Sequence, residues 1–302
     1  MQRTNADSPS PSRAARRPRC DLIPADAYTV AELTDIYNQT RIDYIVPMPM
    51  NPARLQEYID NYDLDLTRSV VARTGDKTLG LAMLGVRPSH TWITRLGVVP
   101  DGRHLGAGHA MMSHLIEQSY NVGASYIILE VICGNVPAHT LFVRLGFEEV
   151  RELLILRRPP GAPKASVPAY DVVHGDESRA LELLQRRRSA PSWLDEYESL
   201  RNAGSLASIE VTLADGAAGW LAYQTSVFQL GRLVVQTEQG DPASVAATLA
   251  HALHTTHPHK DTKTENLPAL DEHLPGLQAM RYMESFRRTE MRRPLDPAIN
   301  PS

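Results

Sequence analysis

A segment in the first third of the chain combines residue types that suit phosphate binding: VVPDGRHLGAGHAMM, residues 98–112. A strand, a glycine-bearing loop and the start of a helix are predicted there in that order. The first turn of a helix has N–H groups without an intrahelical acceptor, and the helix dipole adds partial positive charge. Gly106, Ala107 and Gly108 let a pyrophosphate approach that backbone closely, and Arg103 adds a cation. The segment is therefore predicted to bind an anion.

Two nucleotide-binding motifs compete for this segment. A P-loop requires Gly-Lys-Ser or Gly-Lys-Thr, and the sequence has neither. A dinucleotide fingerprint needs its first glycine close behind the strand and a small third residue. Here six residues separate Val99 from Gly106, and the third position is Met111. Glu130 lies about the right distance onward, so the dinucleotide alternative stays open, but the loop spacing disfavours it.

Three side chains near this segment could take part in chemistry. Glu130 lies inside the apolar run YIILEVI, where burial would raise its pKa towards that of a general base. His139 lies one helical turn before Phe142 and could donate a proton. Cys133 follows the same strand as Glu130. The simpler interpretations are a paired structural acid, a solvated histidine and an inert buried thiol.

Two further clusters are open to interpretation. Four histidines, His251, His254, His257 and His259, fit no zinc spacing, so we predict solvated or helix-capping side chains and no metal site. Residues 57–65, EYIDNYDLD, carry four acids and two tyrosines. They could attract a cationic amine or simply form a solvated helix face.

Turn signals divide the first half into short elements that must position these residues. In chain order the prediction is a helix at 30–43 with Thr29 as N-cap, a helix at 54–62, strands at 69–73, 78–86 and 92–99, a helix from the glycine loop to Gly123, a strand at 126–132, a helix at 137–145 and a strand at 152–157.

Composition predicts a globular protein of two domains. The chain has 302 residues, 42% apolar and 22% charged, with a net charge of −4, so no nucleic-acid partner is expected. No apolar run is long enough to span a membrane, and only two cysteines occur, which favours a cytoplasmic location. The predicted division is a disordered basic tail over 1–20, a first domain over 21–158, a linker over 159–169, a second domain over 170–294 and a tail over 295–302.

The second half repeats features of the first at an offset of about 136 residues. Arg95-Leu96 aligns with Arg232-Leu233, and the segment that begins at Phe147 aligns with the one that begins at Met283. The second-half loop, TEQGDPAS, lacks the arginine and both glycines, and Asp241 would repel a phosphate. We therefore predict a duplication whose second copy has lost cofactor binding.

Two sequence blocks resemble the GNAT superfamily of N-acetyltransferases. Residues 96–108 resemble its strand, Val-x-Pro turn and Arg-x-x-Gly-x-Gly loop. Residues 129–147 resemble its second block, with Leu129-Glu130-Val131, Asn135, Ala138, Leu141 and Gly146-Phe147. The resemblance implies an α+β (mixed α/β) fold with two GNAT-like domains, each a mostly antiparallel, splayed sheet flanked by helices.

The same resemblance implies how acetyl-CoA, a co-substrate used without a metal, would bind. The backbone of Leu96, Gly97 and Val98 would pair with the pantetheine arm, and an N–H near Val98 would hold the thioester carbonyl. The loop from Arg103 to His109 would hold the pyrophosphate, which adds His104, Leu105 and His109 to the set. Asn135 and Phe142 would lie beside the arm.

The chain departs from the family pattern at two positions that matter for catalysis. Phe142 stands where many members have a proton-donating tyrosine, and Thr94 and Arg95 stand where many have a carboxylate base. Glu130 and His139 are therefore the candidate catalytic residues. The predicted function is acetyl transfer to a small-molecule or peptide amine, by direct attack in a ternary complex. The chain could also form a homodimer. A non-catalytic acyl-CoA-binding or regulatory module is the alternative.

Overall fold

Twelve strands form one continuous mixed sheet with eight α-helices packed on it, in a computed structural model that describes residues 20–103 and 105–296. The strands are β1 (Asp21–Pro24), β2 (Val70–Thr74), β3 (Lys77–Val86), β4 (His90–Val98), β5 (Tyr126–Ile132), β6 (Glu148–Arg158), β7 (Tyr170–Gly175), β8 (Leu206–Leu213), β9 (Ala218–Thr225), β10 (Gln229–Gln239), β11 (Asp261–Pro268) and β12 (Met283–Pro294). The helices are α1 (Val30–Gln39), α2 (Pro52–Asn61), α3 (Ala107–Asn121), α4 (Val136–Arg144), α5 (Glu177–Gln185), α6 (Tyr197–Ala203), α7 (Pro242–Thr256) and α8 (Leu274–Ala279).

Most first-half elements lie where the sequence predicts them, and two differ in length. Thr29 caps α1 through a capping box with Glu32, but α1 ends at Gln39 rather than at residue 43. Thr40 is the C-cap of this helix, and its hydroxyl donates to the carbonyl of Tyr37 at 2.7 Å; its side chain also packs on Gly97, where a Cβ would not fit. Strand β6 begins at Glu148 rather than at residue 152, because its polar first residues pair with β12.

The two halves exchange their last strands. The sheet order is β1-β2-β3-β4-β5-β12-β6-β11-β10-β9-β8-β7, so β12 covers the edge of β5 while β6 lies beside β11. Met291 of β12 is fully buried in the apolar core of the first half, and Leu154 of β6 lies in that of the second. Strand β6 pairs only with second-half strands, and β12 pairs only with first-half strands. The division at residues 159–169 therefore stays a prediction.

Matching backbone irregularities confirm the internal repeat. Arg95 and Arg232 have φ angles of 53° and 52°, unusual for residues with side chains, and both lie at register shifts in equivalent strands. The second predicted alignment, that of Phe147 with Met283, is off by one residue. Phe147 matches Tyr282, because each is buried and donates its N–H to the residue five positions earlier, Phe142 or Leu277.

A buried ionic network holds the halves together beside the site. The guanidinium of Arg87 contacts Asp63, Glu196 and the hydroxyl of Ser199, and it stacks on Trp193 at 3.9 Å. His90 bonds the other Glu196 oxygen at 3.0 Å.

No helix in the part of the chain that the structure describes is long and apolar enough to cross a membrane.

Candidate active site

A cavity of about 730 Å³ lies where β4 and β5 diverge. These strands run parallel and pair from His90–Tyr126 to Ile93–Leu129, and beyond that point they separate. Thr94, Arg95 and Leu96 line one side of the opening, and residues 129–132 line the other. The second half contributes Leu194, Asp195, Gln224, Gln229, Gly231, Arg232, Lys263, Glu265, Phe286 and Arg288. One cavity is thus built by both halves.

The predicted pantetheine positions lie along the diverging edge of β4. The backbone of Gly97 and Val98 pairs with β3 on one side, at Leu81 and Gly80, and has no β5 partner on the other. The carbonyl of Leu96 accepts a hydrogen bond from Arg41 at 3.1 Å. An extended arm can therefore add at this edge, with Arg41 beside it.

The predicted phosphate cradle forms the start of α3. Gly106 has a φ of 87°, which favours glycine, and the helix begins at Ala107. At Gly108 an added Cβ would meet Leu141 and Val98 at 3.5 Å, an ordinary contact, so a larger side chain would fill the space in front of the helix. His104 lies outside the described residues.

The remaining cradle residues have local partners. Arg103 forms a two-pronged ion pair with Asp43, with both N–O distances at 2.6 Å. Leu105 is exposed, and His109 contacts the hydroxyl of Ser113 at 3.3 Å. A pyrophosphate would therefore compete with Asp43 for the guanidinium of Arg103.

Helix α4 places Asn135 and Phe142 on the cavity, as the resemblance implies. Asn135 caps this helix by accepting from the N–H of Ala138, and its amide donates to the hydroxyl of Tyr44 at 3.4 Å. Phe142 is buried, 6.2 Å from the ring centre of Phe147. Tyr44 thus brings a hydroxyl into the region where Phe142 offers none.

Glu130 lies on the cavity wall, held by both halves. Its carboxylate accepts from Nε1 of Trp92 at 3.3 Å and from the amide of Asn266 at 3.0 Å. Burial raises the pKa of Glu130 to about 7, against the opposing effect of the nearby Arg288. A carboxylate that titrates near neutrality can accept and release a proton under ordinary conditions.

The other predicted catalytic candidates lie elsewhere. His139 is not part of the cavity lining, because it lies one position beyond Ala138 on α4 and its ring pairs with Glu149 at 2.6 Å. The cavity position therefore gives no support for His139 as the acid. Cys133 contacts the hydroxyl of Thr289 at 3.4 Å and also lies outside the lining.

Two expectations about charged clusters need correction. His254 is not solvated: it is fully buried and bonds the hydroxyl of Tyr282 at 2.9 Å. Burial lowers the pKa of His254 to about 3.

Of the four acids in residues 57–65, only Glu57 lines the cavity. The other three have local partners: Asp63 pairs with Arg87, Asp65 pairs with Arg68, and Asp60 accepts a hydrogen bond from Gln56. Among the residues with described positions, no cluster of three side chains suited to a metal is found.

The equivalent loop of the second half is closed to a phosphate by its own residues. Asp241 caps α7, and its carboxylate accepts from the N–H of Ser244 at 2.8 Å. Pro242 removes a further N–H group. A negative charge thus occupies the helix start that would otherwise attract an anion, which agrees with a degenerate second copy.

Comparison with known proteins agrees with this architecture. Residues 31–147 match the Acetyltransferase (GNAT) family. A tandem GNAT protein from the clavulanic acid biosynthesis pathway superposes with a TM-score of 0.62 at 16% identity, over 92% of this chain and 99% of that one. A GCN5-related N-acetyltransferase from Sphaerobacter thermophilus also gives 0.62, at 17% identity over 93% and 98%. A protein from Pyrococcus horikoshii gives 0.62 at 11% identity over 95% and 93%.

These similarities establish a shared fold over nearly the whole chain. A search of curated protein sequences found no match. The predicted mixed α/β fold of the tandem GNAT type is confirmed, and the match to the GNAT family covers residues 31–147. The family match supports acyl transfer as the general activity.

Proposed function

We propose that this protein transfers an acetyl group from acetyl-CoA to an amine acceptor, with Glu130 as general base. The observation that carries the proposal is the position of Glu130: a carboxylate with a pKa of about 7 on the wall of a cavity that opens at the diverging strands β4 and β5. When bound, acetyl-CoA supplies the activated acetyl thioester. The free edge of β4 and the start of α3 have the shape and polarity to hold it.

In this mechanism Glu130 accepts a proton from the amine, whose lone pair attacks the thioester carbonyl carbon. A C–N bond forms and the C–S bond breaks. Tyr44 donates its hydroxyl proton to the departing sulfur, a role that Phe142 cannot fill. Solvent then carries the proton from Glu130 back to Tyr44, so the products are an amide and the free thiol of CoA.

Thr94 and Arg95 leave β4 without a carboxylate, and Glu130 on the adjacent β5 supplies one instead. Asp195 is a second buried carboxylate on the cavity, and burial raises its pKa to about 6. Its hydrogen bond from Ser192 at 3.1 Å and its place on the second-half side make it the weaker candidate.

The test is acceptor-dependent release of the CoA thiol from acetyl-CoA across a broad panel of small and peptide amines. We expect release with at least one amine and its loss in Glu130→Gln, while acetyl-CoA binding persists. Binding without release from any amine would favour the alternative, a non-catalytic acyl-CoA-binding module. That alternative is motivated by Phe142 and Thr94, which replace the usual acid and base.

The predictions of cellular location, partners and oligomeric state rest on the sequence. The cytoplasmic location rests on the two free cysteines, Cys20 and Cys133. The prediction of no nucleic-acid or membrane partner rests on composition, and the predicted homodimer is tested by sedimentation.

A further inference from the structure

Arg95 and Arg232 occupy equivalent positions in the two halves, and both line the same cavity. Each lies at a strand irregularity with a positive φ, 53° and 52°. A residue with a side chain rarely adopts this conformation, so both halves maintain a strained arginine on the cavity wall.

The two guanidiniums lie against tyrosines one helical turn apart: Tyr58 on α2, and Tyr62, which follows α2 as its C-cap. That of Arg95 lies 3.8 Å above the ring of Tyr58, and that of Arg232 lies 5.1 Å from the ring of Tyr62. The two tyrosine rings are 4.7 Å apart. The two cations therefore lie against adjacent, neutral aromatic rings.

Neither guanidinium forms an ion pair with a carboxylate within residues 20–103 and 105–296. Arg95 donates to the hydroxyl of Tyr37 at 3.3 Å, and its buried Nε has no partner. Arg232 donates to the amide oxygen of Gln224 at 3.1 Å. An arginine guanidinium whose hydrogen-bond partners are all neutral retains its capacity to bind an anion.

The other charged residues on the cavity leave it with more cations than carboxylates. Glu265 is shared between Lys263 at 2.8 Å and Arg288 at 3.2 Å. Although burial raises its pKa, these two cations and the more distant Arg95 hold the pKa of Glu265 at about 2, so it remains ionised, and its ion pairs are with Lys263 and Arg288. Glu130 and Asp195 have raised pKa values, and the remaining charged lining residues are Glu57, Arg41 and Arg54. Near neutrality the cavity therefore carries an excess of positive charge.

This charge is separate from the predicted phosphate cradle. No residue of the loop 105–109 lines the cavity, and Arg232 belongs to the half opposite the pantetheine edge. Neither Arg95 nor Arg232 lies at a helix start, so the site offers guanidinium forks without the N-terminal amides typical of phosphate sites. Planar forks of this kind match a carboxylate.

We propose that the acceptor amine also carries a carboxylate, which Arg232 and Arg95 bind while Glu130 accepts the amine proton. The substrate class is then an amino acid or a short peptide with a free carboxylate. This inference rests on the proposed acetyl transfer, and it differs from the alternative in which residues 57–65 attract a cationic amine.

The test measures binding of product analogues by calorimetry, with and without saturating CoA. The probes are the N-acetyl derivatives of glycine, leucine, phenylalanine, glutamate and lysine, each paired with its carboxamide. We expect at least one acid to bind about ten- to a hundredfold more tightly than its amide, as the loss of one charge-assisted contact implies. Arg232→Gln and Arg95→Gln should each reduce that preference to near unity. Arg201→Gln, at an exposed arginine outside the cavity, should retain it.

Equal binding of every acid and amide by the wild type would overturn the proposal. If CoA still binds in that case, only the carboxylate proposal is wrong and the proposed acetyl transfer stands. If CoA does not bind, the proposed acetyl transfer is wrong as well. A parallel titration compares succinyl-CoA with acetyl-CoA. Tighter binding of succinyl-CoA that is lost in Arg232→Gln would assign the arginines to the acyl chain of the donor, and the proposal would be wrong. Thermal unfolding of each variant verifies folding.

Discussion

Glu130 of the first half accepts a hydrogen bond of 3.0 Å from the side-chain amide of Asn266, which belongs to the second half. Asn266 is buried, and its amide oxygen accepts from Arg288 at 3.0 Å, which orients the NH₂ group towards Glu130. An amide donor favours the ionised carboxylate. The second half therefore helps to set the state of the candidate base, even though its own loop is closed by Asp241.

The rate of acetyl transfer should depend on the ionisation of Glu130. A base acts only when it is deprotonated, so kcat/KM should rise about tenfold per pH unit below 7 and level off above it, as a pKa of about 7 requires. Glu130→Gln should lower kcat by about a hundredfold or more and remove this inflection. A pH–rate profile of both proteins measures it; an inflection that survives in the variant would assign the base elsewhere.

Asn266→Asp should move the same inflection to higher pH. Aspartate matches the shape of asparagine and tolerates the positive φ of 60°, but it replaces a donor with a negative charge beside Glu130. That charge raises the pKa of Glu130, and we expect a shift on the order of one pH unit. The pH–rate profile again provides the measurement, and an unchanged inflection would contradict a role of Asn266 in positioning Glu130.

Tyr44→Phe should reduce kcat by about ten- to a hundredfold with little change in KM for acetyl-CoA. The hydroxyl near Asn135 is lost, while the ring that stacks on Arg41 at 4.2 Å remains. Tyr28→Phe is the matched control, because Tyr28 lies outside the cavity lining. Steady-state kinetics of the two variants decide the question, and equal kcat values would exclude Tyr44 as the acid.

Local patterns predicted much of the first-half fold. The apolar run at 126–132, the glycine loop and the caps are short-range signals, and they positioned β5, α3 and α4 within a residue or two. The strand exchange was not predictable. The apolar residues of β6 and β12 indicate burial, but they do not specify which of two similar sheets each strand completes.

The site was predictable only where one chain segment builds it. Glu130, Asn135 and Phe142 come from the blocks that resemble the family, and all three line the cavity. Tyr44 and Asn266 were missed, because Tyr44 lines the cavity from a proline-rich connection and Asn266 contacts Glu130 from the second half. The aligned arginines Arg95 and Arg232 were a usable signal: a charged residue repeated in two buried strands suggests a shared function.

Stability should fall at acidic pH because of His254. Burial lowers its pKa from 6.5 to about 3, so between these values the unfolded chain binds a proton that the folded protein does not. The stabilisation is complete above pH 6.5 and is lost as pH falls, by about 1.4 kcal/mol per unit. Urea unfolding of wild type and His254→Gln should show a shallower slope in the variant. The exposed His259, changed to Gln, should retain the wild-type slope.

The central claim is that the first-half loop binds acetyl-CoA, and calorimetric titration of acetyl-CoA into wild type, Gly108→Ala and Gly108→Glu tests it most directly. A methyl group at Gly108 fits, with contacts of 3.5 Å to Leu141 and Val98, whereas glutamate places bulk and negative charge at the start of α3. We predict micromolar binding in wild type and Gly108→Ala and its loss in Gly108→Glu, with all three proteins folded. Equal binding by all three, or binding by none, would contradict a cofactor site at this loop.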